Sequence, residues 1–481
     1  MTTDGPTLWR HNVLLVGAVG SVWGYNSFGD VLINVCRALL PVPAMHYVDD
    51  FGSAEGSWSA YTAFWTFRQL NDILGLRTKP SKEQTPAPSH KVQGTIITFH
   101  TDHVEVAPTP ARAVKLTTMI DKFTTENIMT TDDAATFAGK CQHFGSTTFG
   151  RIGRAPLKPV YARQHALPLP GMRIVNEKLT FALRSALRTL RRIINSCKPR
   201  KIPYACNGTG LPLVYADAFF EIGGQRYRPH EVPDDLQWDK TAVVASTNGW
   251  GAIVFPTVQT SSGPTTRWDR AFALRGHLPP SVLQPFCSRK AFIYFLEAFA
   301  QIIIGITFDF VLGPFYTTFC DNEAAKHAII KGYGSDPNIN NLIGMYWSHM
   351  SDSATDPWME RVSSKANLSD EVSRDCWQLA SEAGWFRMEI DFSPIYPVLV
   401  RVATDEHYAR TDAAKDSPQA MGQTVRSALR SCPWYEEIVF NKLRRTDHTV
   451  TPGDSDLRSR GVGALSPLSP GVRGVIDSSN A

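Results

Sequence analysis

The chain has 481 residues, of which 43% are hydrophobic and 20% charged, with a formal net charge of +4. That composition excludes a largely disordered chain and leaves room for two to four domains. The eight cysteines, Cys36, Cys141, Cys197, Cys206, Cys287, Cys320, Cys376 and Cys432, form no C-x-x-C pair. They read as reduced thiols of an intracellular, cytoplasmic or nuclear protein rather than a disulfide frame or zinc knuckle. The amino terminus has no basic region before its apolar run, so no signal peptide is expected.

From the amino terminus, Val22, Tyr25, Phe28, Leu32, Val35 and Leu39 recur at helical spacing over residues 20–40, and Pro41 and Pro43 stop the helix. AMHYVDDFG (44–52) reads as a hairpin with its acids at the turn. A second amphipathic helix spans 58–76, followed by the loop KPSKEQTPAPSH and the strand pair VQGTIITF and HVEVAP. Helices are predicted over 109–126 and 131–144, the second opening on Asp132 and Asp133, where acids suit the helix dipole. Residues 181–194 form a basic amphipathic helix, and CKPRKIPYACNGTGLP reads as a linker.

The next pattern is different. Strands are predicted at LVYADAFFE, GWGAIVF (249–255) and RWDRAFAL (267–274), a helix at 289–304, and a strand at FYTTFCD (315–321). Helices at 323–330 and 338–350 and a strand at 358–362 follow. This order predicts a mixed sheet flanked by helices. The run 291–316 is apolar enough to pass for a membrane span. It carries Glu297, Gln301 and Asp309, however, and a central carboxylate costs about 2.5–3.5 kcal/mol on insertion scales, so a buried helix and strand fit better. After about residue 400 apolar periodicity fades, and from about 445 the composition predicts disorder.

Charge is distributed unevenly. Residues 151–201 hold thirteen Lys and Arg and one acid, Glu177, whereas residues 211–375 hold eighteen acids and thirteen bases. Cations beside an acidic domain are a common footprint of a nucleic-acid handler. Lys79, Lys82, Lys140, Arg151, Arg154, Lys158, Arg163, Arg184, Arg188, Arg191 and Arg192 are the candidate phosphate contacts.

Four acids stand out in the acidic domain. Asp217 is mid-strand between apolar neighbours, Glu297 lies in an apolar helix, Asp321 ends a strand, and Asp370 lies at the start of SDEVSRDCW, which reads as a helix. Carboxylates are rarely buried unless paired or bound to metal. Two hard divalent cations, Mg²⁺ or Mn²⁺, would explain all four at once. No small-molecule cofactor motif is evident.

VYADAFFE, GWGAIVF, FLEAFAQ, FCDNEAA and ERVSSKANLSDEVSR resemble the ribonuclease H domain carried by retroelements. The last stretch holds an N-x-x-D-x-x-S-R run of Asn367, Asp370, Ser373 and Arg374. The resemblance implies that fold, catalytic and metal-binding roles for Asp217, Glu297, Asp321 and Asp370, and cleavage of the RNA strand of RNA–DNA hybrids. This chain departs in a long insert at 222–248 and in Lys365, where relatives often carry histidine.

Tyr47-Val48-Asp49-Asp50 is a Y-x-D-D motif, whose paired carboxylates would hold metal ions at a nucleotide's phosphates. With GAVGSVWGYNSF before it, KPSK after it, and FAGKCQHFGSTTFGRIGRAPLKPVYAR further on, the order resembles a reverse transcriptase, in particular that of tyrosine-recombinase retrotransposons and related chromosomal copies. The resemblance implies a polymerase metal site of which Tyr47, Asp49 and Asp50 are the remnant. The family's first metal-binding aspartate lies well upstream, and here the upstream acids are Asp4, in a terminal loop, and Asp30, inside a helix.

The expected organisation is therefore α+β or α/β: a partial polymerase palm (1–108), a basic thumb or connection (109–200), and a ribonuclease H-like mixed five-stranded sheet with flanking helices (211–380). An extension (381–481) follows. An amino-truncated reverse transcriptase and ribonuclease H fragment is expected, binding hybrid or other duplex, with no membrane association and without polymerase activity. A non-catalytic domesticated binding protein and a polymerase lacking its amino-terminal half are the alternatives.

Overall fold

The computed structural model describes residues 19–40, 42–76, 78–148, 151–168, 175–196, 198–204, 210–222, 225–226, 246–286, 292–334, 336–405 and 412–440. The expected disorder after 445, most of the 222–248 insert and the start of the 289–304 helix lie outside them.

The first helix, Val19–Leu39, leads into β1 (Ala44–Tyr47) and β2 (Asp50–Ser53), and the helix Ala60–Ile73 follows. The two strands pair antiparallel with Tyr47 opposite Asp50, so the turn is Val48-Asp49. Val48 has a φ of 53°, a left-handed value that strains a β-branched residue. A small core of Ile33, Cys36, Val42, Ala44 and Ala63 joins these pieces.

β3 (Ser89–Val92), β4 (Thr95–Phe99), β5 (His103–Pro108) and β6 (Arg200–Pro203) form an antiparallel sheet in that order. β6 comes from the expected linker. It pairs Ile202 with Val104 and Lys201 with Glu105, closing the edge of β5. The segment before residue 108 thus completes its sheet with residues from beyond the helices. Those helices, Pro110–Glu126, Thr131–Ser146, Arg154–Gln164 and Phe181–Ser196, share a core that includes Leu116, Phe123, Phe137, Phe144, Leu187 and Leu190. Thr130 caps the second of them by accepting from the Asp133 N–H at 2.9 Å, and the Asp133 side chain returns to the Thr130 backbone.

The third part is a mixed sheet built from β7 (Leu213–Ile222), β9 (Ser246–Phe255), β12 (Phe272–Gly276), β13 (Phe315–Cys320), β14 (Asp356–Arg361) and β15 (Phe386–Met388), after a two-residue β8 (Gln225–Arg226) and a side hairpin, β10 (Thr257–Thr260) and β11 (Gly263–Thr266). The strand order is β14-β13-β7-β9-β12-β15, with β8 paired to β7. β7, β9 and β12 are successively antiparallel, whereas β13 runs parallel to β7 and to β14. The five expected strands are present, although the third begins only at Phe272, because Trp268 to Arg270 belong to a turn. The additions are β8 and β15, the latter parallel to β12. The helices Phe292–Thr307 and Pro337–Ser353 supply much of the core. Among the described residues no helix is long and apolar enough to cross a membrane.

The core runs past both the expected boundary at 380 and the expected loss of periodicity at 400. Helices Tyr396–Thr404 and Asp412–Leu429 bury Leu399, Val402, Met421, Val425 and Leu429 in it. The Tyr396 hydroxyl accepts from the Trp250 indole N–H of β9 at 2.9 Å. Arg270 grips Glu437 with two bonds, 3.0 and 3.2 Å, and Trp434 stacks on Phe272 of β12. Met421, Val425 and Leu429 lie four apart, which is a helical stripe too sparse to stand out among polar neighbours.

Candidate active site

Asp217 lies at the middle of β7, opposite Gly251 of β9. Ala216 and Ala218 on either side are small and fully buried, which lets the helix Phe292–Thr307 lie close across the strand. Gln301 fixes that helix. Its amide Nε2 donates to the carbonyls of Ala216 (3.2 Å) and Phe319 (2.8 Å), and its Oε1 accepts from Thr318 at 2.6 Å. One helical turn back, at i−4, stands Glu297. Asp321 follows directly on β13, the strand parallel to β7, and Asn322 then caps the helix Glu323–Lys331.

The result is a triad of acids. One carboxylate oxygen from each of Asp217, Glu297 and Asp321 lies within 4.8 Å of the others. Asp217 is 1% exposed and Glu297 4% exposed, while Asp321 is half-buried at the rim. The buried Glu297 Oε2 has no hydrogen-bond partner. Burial, and then the nearby Asp217 and Asp321 carboxylates, push the Glu297 carboxyl well above its usual range. Three acids this close with an unmatched buried oxygen suit a hard divalent cation, which takes oxygen ligands and neutralises their repulsion. The donor set therefore fits Mg²⁺ or Mn²⁺, which Asp217, Glu297 and Asp321 could hold.

Asp370 is not part of the triad. It opens the short helix Ser369–Ser373, and its carboxylate meets the Arg374 Nε at 3.4 Å. Arg374 in turn reaches Glu221 at 2.5 Å and lies over the Phe219 ring. Two neighbours in the same run contact Asp217 instead. Ser373 Oγ donates to Asp217 Oδ2 at 2.9 Å, and Asn367 Nδ2 reaches Asp217 Oδ1 at 3.4 Å. Ser369 donates to Asn367 at 2.8 Å and orients it. Sequence patterning singled out Asn367 and Ser373 only as parts of a motif. The signal for their role is the glycine pair of β9. A Cβ on Gly251 would stand 2.4 Å from the Ser373 backbone nitrogen, and one on Gly249 would stand 2.9 Å from its carbonyl oxygen. Glycine at both positions lets the short helix sit against the sheet. Lys365 is exposed in the turn before it.

The Y-x-D-D hairpin stands apart from this triad. Tyr47, Asp49 and Asp50 are all exposed. Asp30 does not join them but pairs with His46 at 2.9 Å. Among the described residues no set of three metal-ligating side chains includes Asp49 or Asp50.

The eleven candidate cations divide by environment. Arg163 is buried, and its guanidinium donates to the carbonyls of Met129, Asn176 and Lys178. Those carbonyls hold it in place as an internal tie. Arg151 meets Asp356 at 3.8 Å and covers the Trp347 ring, Arg154 bonds the Lys331 carbonyl at 3.0 Å, and Lys158 lies over Tyr333. These three join the helices to the mixed sheet. Arg191 pairs with Asp121, and Arg192 lines a cleft with Asn340 and Asn341. Arg184 and Arg188 are exposed one turn apart, Lys79 and Lys82 are exposed, and Lys140 is half-buried.

No family model and no curated protein matches the chain. Among solved structures, a foamy viral protease-reverse transcriptase in complex with double-stranded DNA aligns at 11% identity with a TM-score of 0.30, covering 71% of this chain and 49% of that one. The foamy viral protease-reverse transcriptase in complex with RNA/DNA hybrid aligns at 11% identity with a TM-score of 0.29, covering 75% and 62%. The chain thus spans less than two thirds of the length of either structure. The nucleic acids belong to those complexes, and the residue roles here rest on their own geometry.

Proposed function

We propose that this chain is a retroelement-derived nuclease that hydrolyses the RNA strand of RNA–DNA hybrids with two divalent cations, Mg²⁺ or Mn²⁺. The observation that carries the reading is the convergence of Asp217, Glu297 and Asp321, with a buried Glu297 oxygen that no protein group satisfies. Asp217, Glu297 and Asp321 hold the cations, Ser373 and Asn367 aim Asp217, and Asp370 serves at the rim beside Arg374. When bound there, the cations would supply activation of a water and stabilisation of the leaving oxygen of the phosphodiester. Arg184, Arg188, Lys79, Lys82 and Lys140 are the cations left to meet backbone phosphates, so binding is largely independent of sequence. The Y-x-D-D acids Asp49 and Asp50 are exposed and stand apart from the triad, and the proposed activity is the nuclease without polymerisation.

A binding protein without catalysis is the competing reading, and the engagement of Asp370 with Arg374 is the observation in its favour. Cleavage of an end-labelled RNA–DNA hybrid decides between them. Mg²⁺-dependent cleavage that Asp321→Asn abolishes, with hybrid affinity retained, supports the nuclease. Binding without cleavage in the wild type refutes it.

A further inference from the structure

A second group of metal-ligating side chains lies far along the chain from the carboxylate triad, on the β4–β5 hairpin. The turn is tight: the His100 N–H donates to the His103 carbonyl at 2.9 Å, leaving Thr101 and Asp102 at the tip. Thr98 pairs with Glu105 across the strands. Side chains two apart share a face, so His100 follows Thr98, and His103 precedes Glu105, on one side of the hairpin. One ligand atom from each of His100, His103 and Glu105 lies within 4.8 Å of the other two. The two imidazoles stack with centroids 4.4 Å apart.

His103 is the telling member. Its Nδ1 meets Asp102 Oδ1 at 2.7 Å. With Nδ1 donating to that carboxylate, the neutral ring has its lone pair on Nε2, which is buried without a hydrogen-bond partner. A carboxylate on one ring nitrogen and a bare lone pair on the other is how proteins orient a histidine ligand. The Asp102 carbonyl also accepts from the Tyr204 N–H at 3.2 Å, which ties the tip to the end of β6.

We propose that His100, His103 and Glu105 bind a divalent transition-metal ion of the zinc class, with Asp102 as the positioning residue for His103. Two imidazoles and one carboxylate suit zinc and its neighbours, whereas magnesium prefers oxygen ligands alone. The chain then carries two different metal chemistries: hard ions at the carboxylate triad and a borderline-soft ion at the hairpin. Three protein ligands leave a tetrahedral ion one position for water or for a ligand atom from a partner. The ion fixes the hairpin tip and does not depend on any nuclease activity.

The test titrates Zn²⁺ into the full chain by calorimetry in excess Mg²⁺, with Co²⁺ as a second probe read by its visible absorption. One Zn²⁺ per chain is expected, together with a tetrahedral Co²⁺ spectrum. Asp102→Asn is expected to weaken Zn²⁺ binding by about 10–100-fold. The His103→Ala, Glu105→Gln double variant is expected to lose the Co²⁺ spectrum, while Asp321→Asn keeps it. Circular dichroism verifies that each variant is folded. Because Asp102 is exposed, its variant tests the site without disturbing a core. Folded wild type that binds no Zn²⁺ overturns the proposal. So does binding of undiminished affinity in the double variant.

Discussion

Ser373 Oγ donates to Asp217 Oδ2 at 2.9 Å, joining two residues 156 positions apart. The bond fixes one oxygen of the most buried acid in the triad. Removing an orienting group behind a metal ligand commonly costs about 10–100-fold in metal affinity or activity. Ser373→Ala is therefore expected to raise the Mg²⁺ concentration needed for hybrid cleavage by about tenfold or more. A Mg²⁺ titration of the cleavage rate measures this, and an unchanged midpoint would remove Ser373 from the site.

The closeness behind that bond depends on Gly251. A methyl group there would stand 2.4 Å from the Ser373 nitrogen, so the short helix must lift. Gly251→Ala is expected to destabilise the protein by about 1–3 kcal/mol, the range for overpacked cores, and to abolish cleavage. Urea unfolding followed by tryptophan fluorescence provides the comparison with wild type.

Glu297 makes the metal-free protein sensitive to pH. Its folded carboxyl titrates well above the ordinary value of 4.5, because of burial and then Asp217 and Asp321. Between the unfolded and folded values the folded state holds the extra proton. Stability from this group is thus full below about pH 4.5 and is lost as pH rises through the folded value. In chelator, Glu297→Gln is expected to flatten the decline of melting temperature above pH 5, and Mg²⁺ is expected to raise the wild-type melting temperature at pH 8. Equal pH profiles for the two proteins would contradict the assignment.

Arg163 and Arg188 are both in the basic segment but differ in surroundings. Arg163 donates to three carbonyls in the interior, and bonds from a charged donor are worth about 1.5–3 kcal/mol each. Arg163→Met is expected to lower stability by at least about 2 kcal/mol. Arg188→Ala is expected to leave stability unchanged and to reduce the salt slope of hybrid binding by about one. Fluorescence anisotropy at several salt concentrations, beside thermal melts, separates the two effects.

The hairpin acids are expected to be silent. Asp49→Asn with Asp50→Asn should leave hybrid cleavage within twofold, roughly the precision of such an assay. Purified wild type should not extend a primer under conditions where a reverse transcriptase control does. Primer extension that disappears in the double variant would overturn the polymerase reading.

The parts of the site readable in the sequence are those where burial and charge conflict locally. Glu297 in an apolar helix and Asp217 inside an apolar strand each break a local pattern, and the structure brings both into the triad beside Asp321. Asn367 and Ser373 break no such pattern. Their contact with Asp217 follows from two glycines on a strand more than a hundred residues away. The charge count over 151–201 could not distinguish Arg163 from Arg188, because which side of a helix faces inward is decided by its partners. β6 and β15 were likewise illegible. Each has four residues or fewer, too short for alternation to register, and each forms because a neighbouring strand offers an open edge.

The late joining of Trp434, Glu437 and Ile438 to the core has a bearing on synthesis. The acids of the triad have all been synthesised once Asp321 has been added, and the helix that orients Asp217 is complete at Ser373. The sheet on which they sit still exposes β12 until β15 pairs with it, and Phe272 stays uncovered until Trp434 arrives. A nascent chain halted between these points would present an open strand edge, the feature by which growing polypeptides most readily associate wrongly. A chain ending near residue 380 would therefore lack both the strand that pairs with β12 and the ring that covers Phe272.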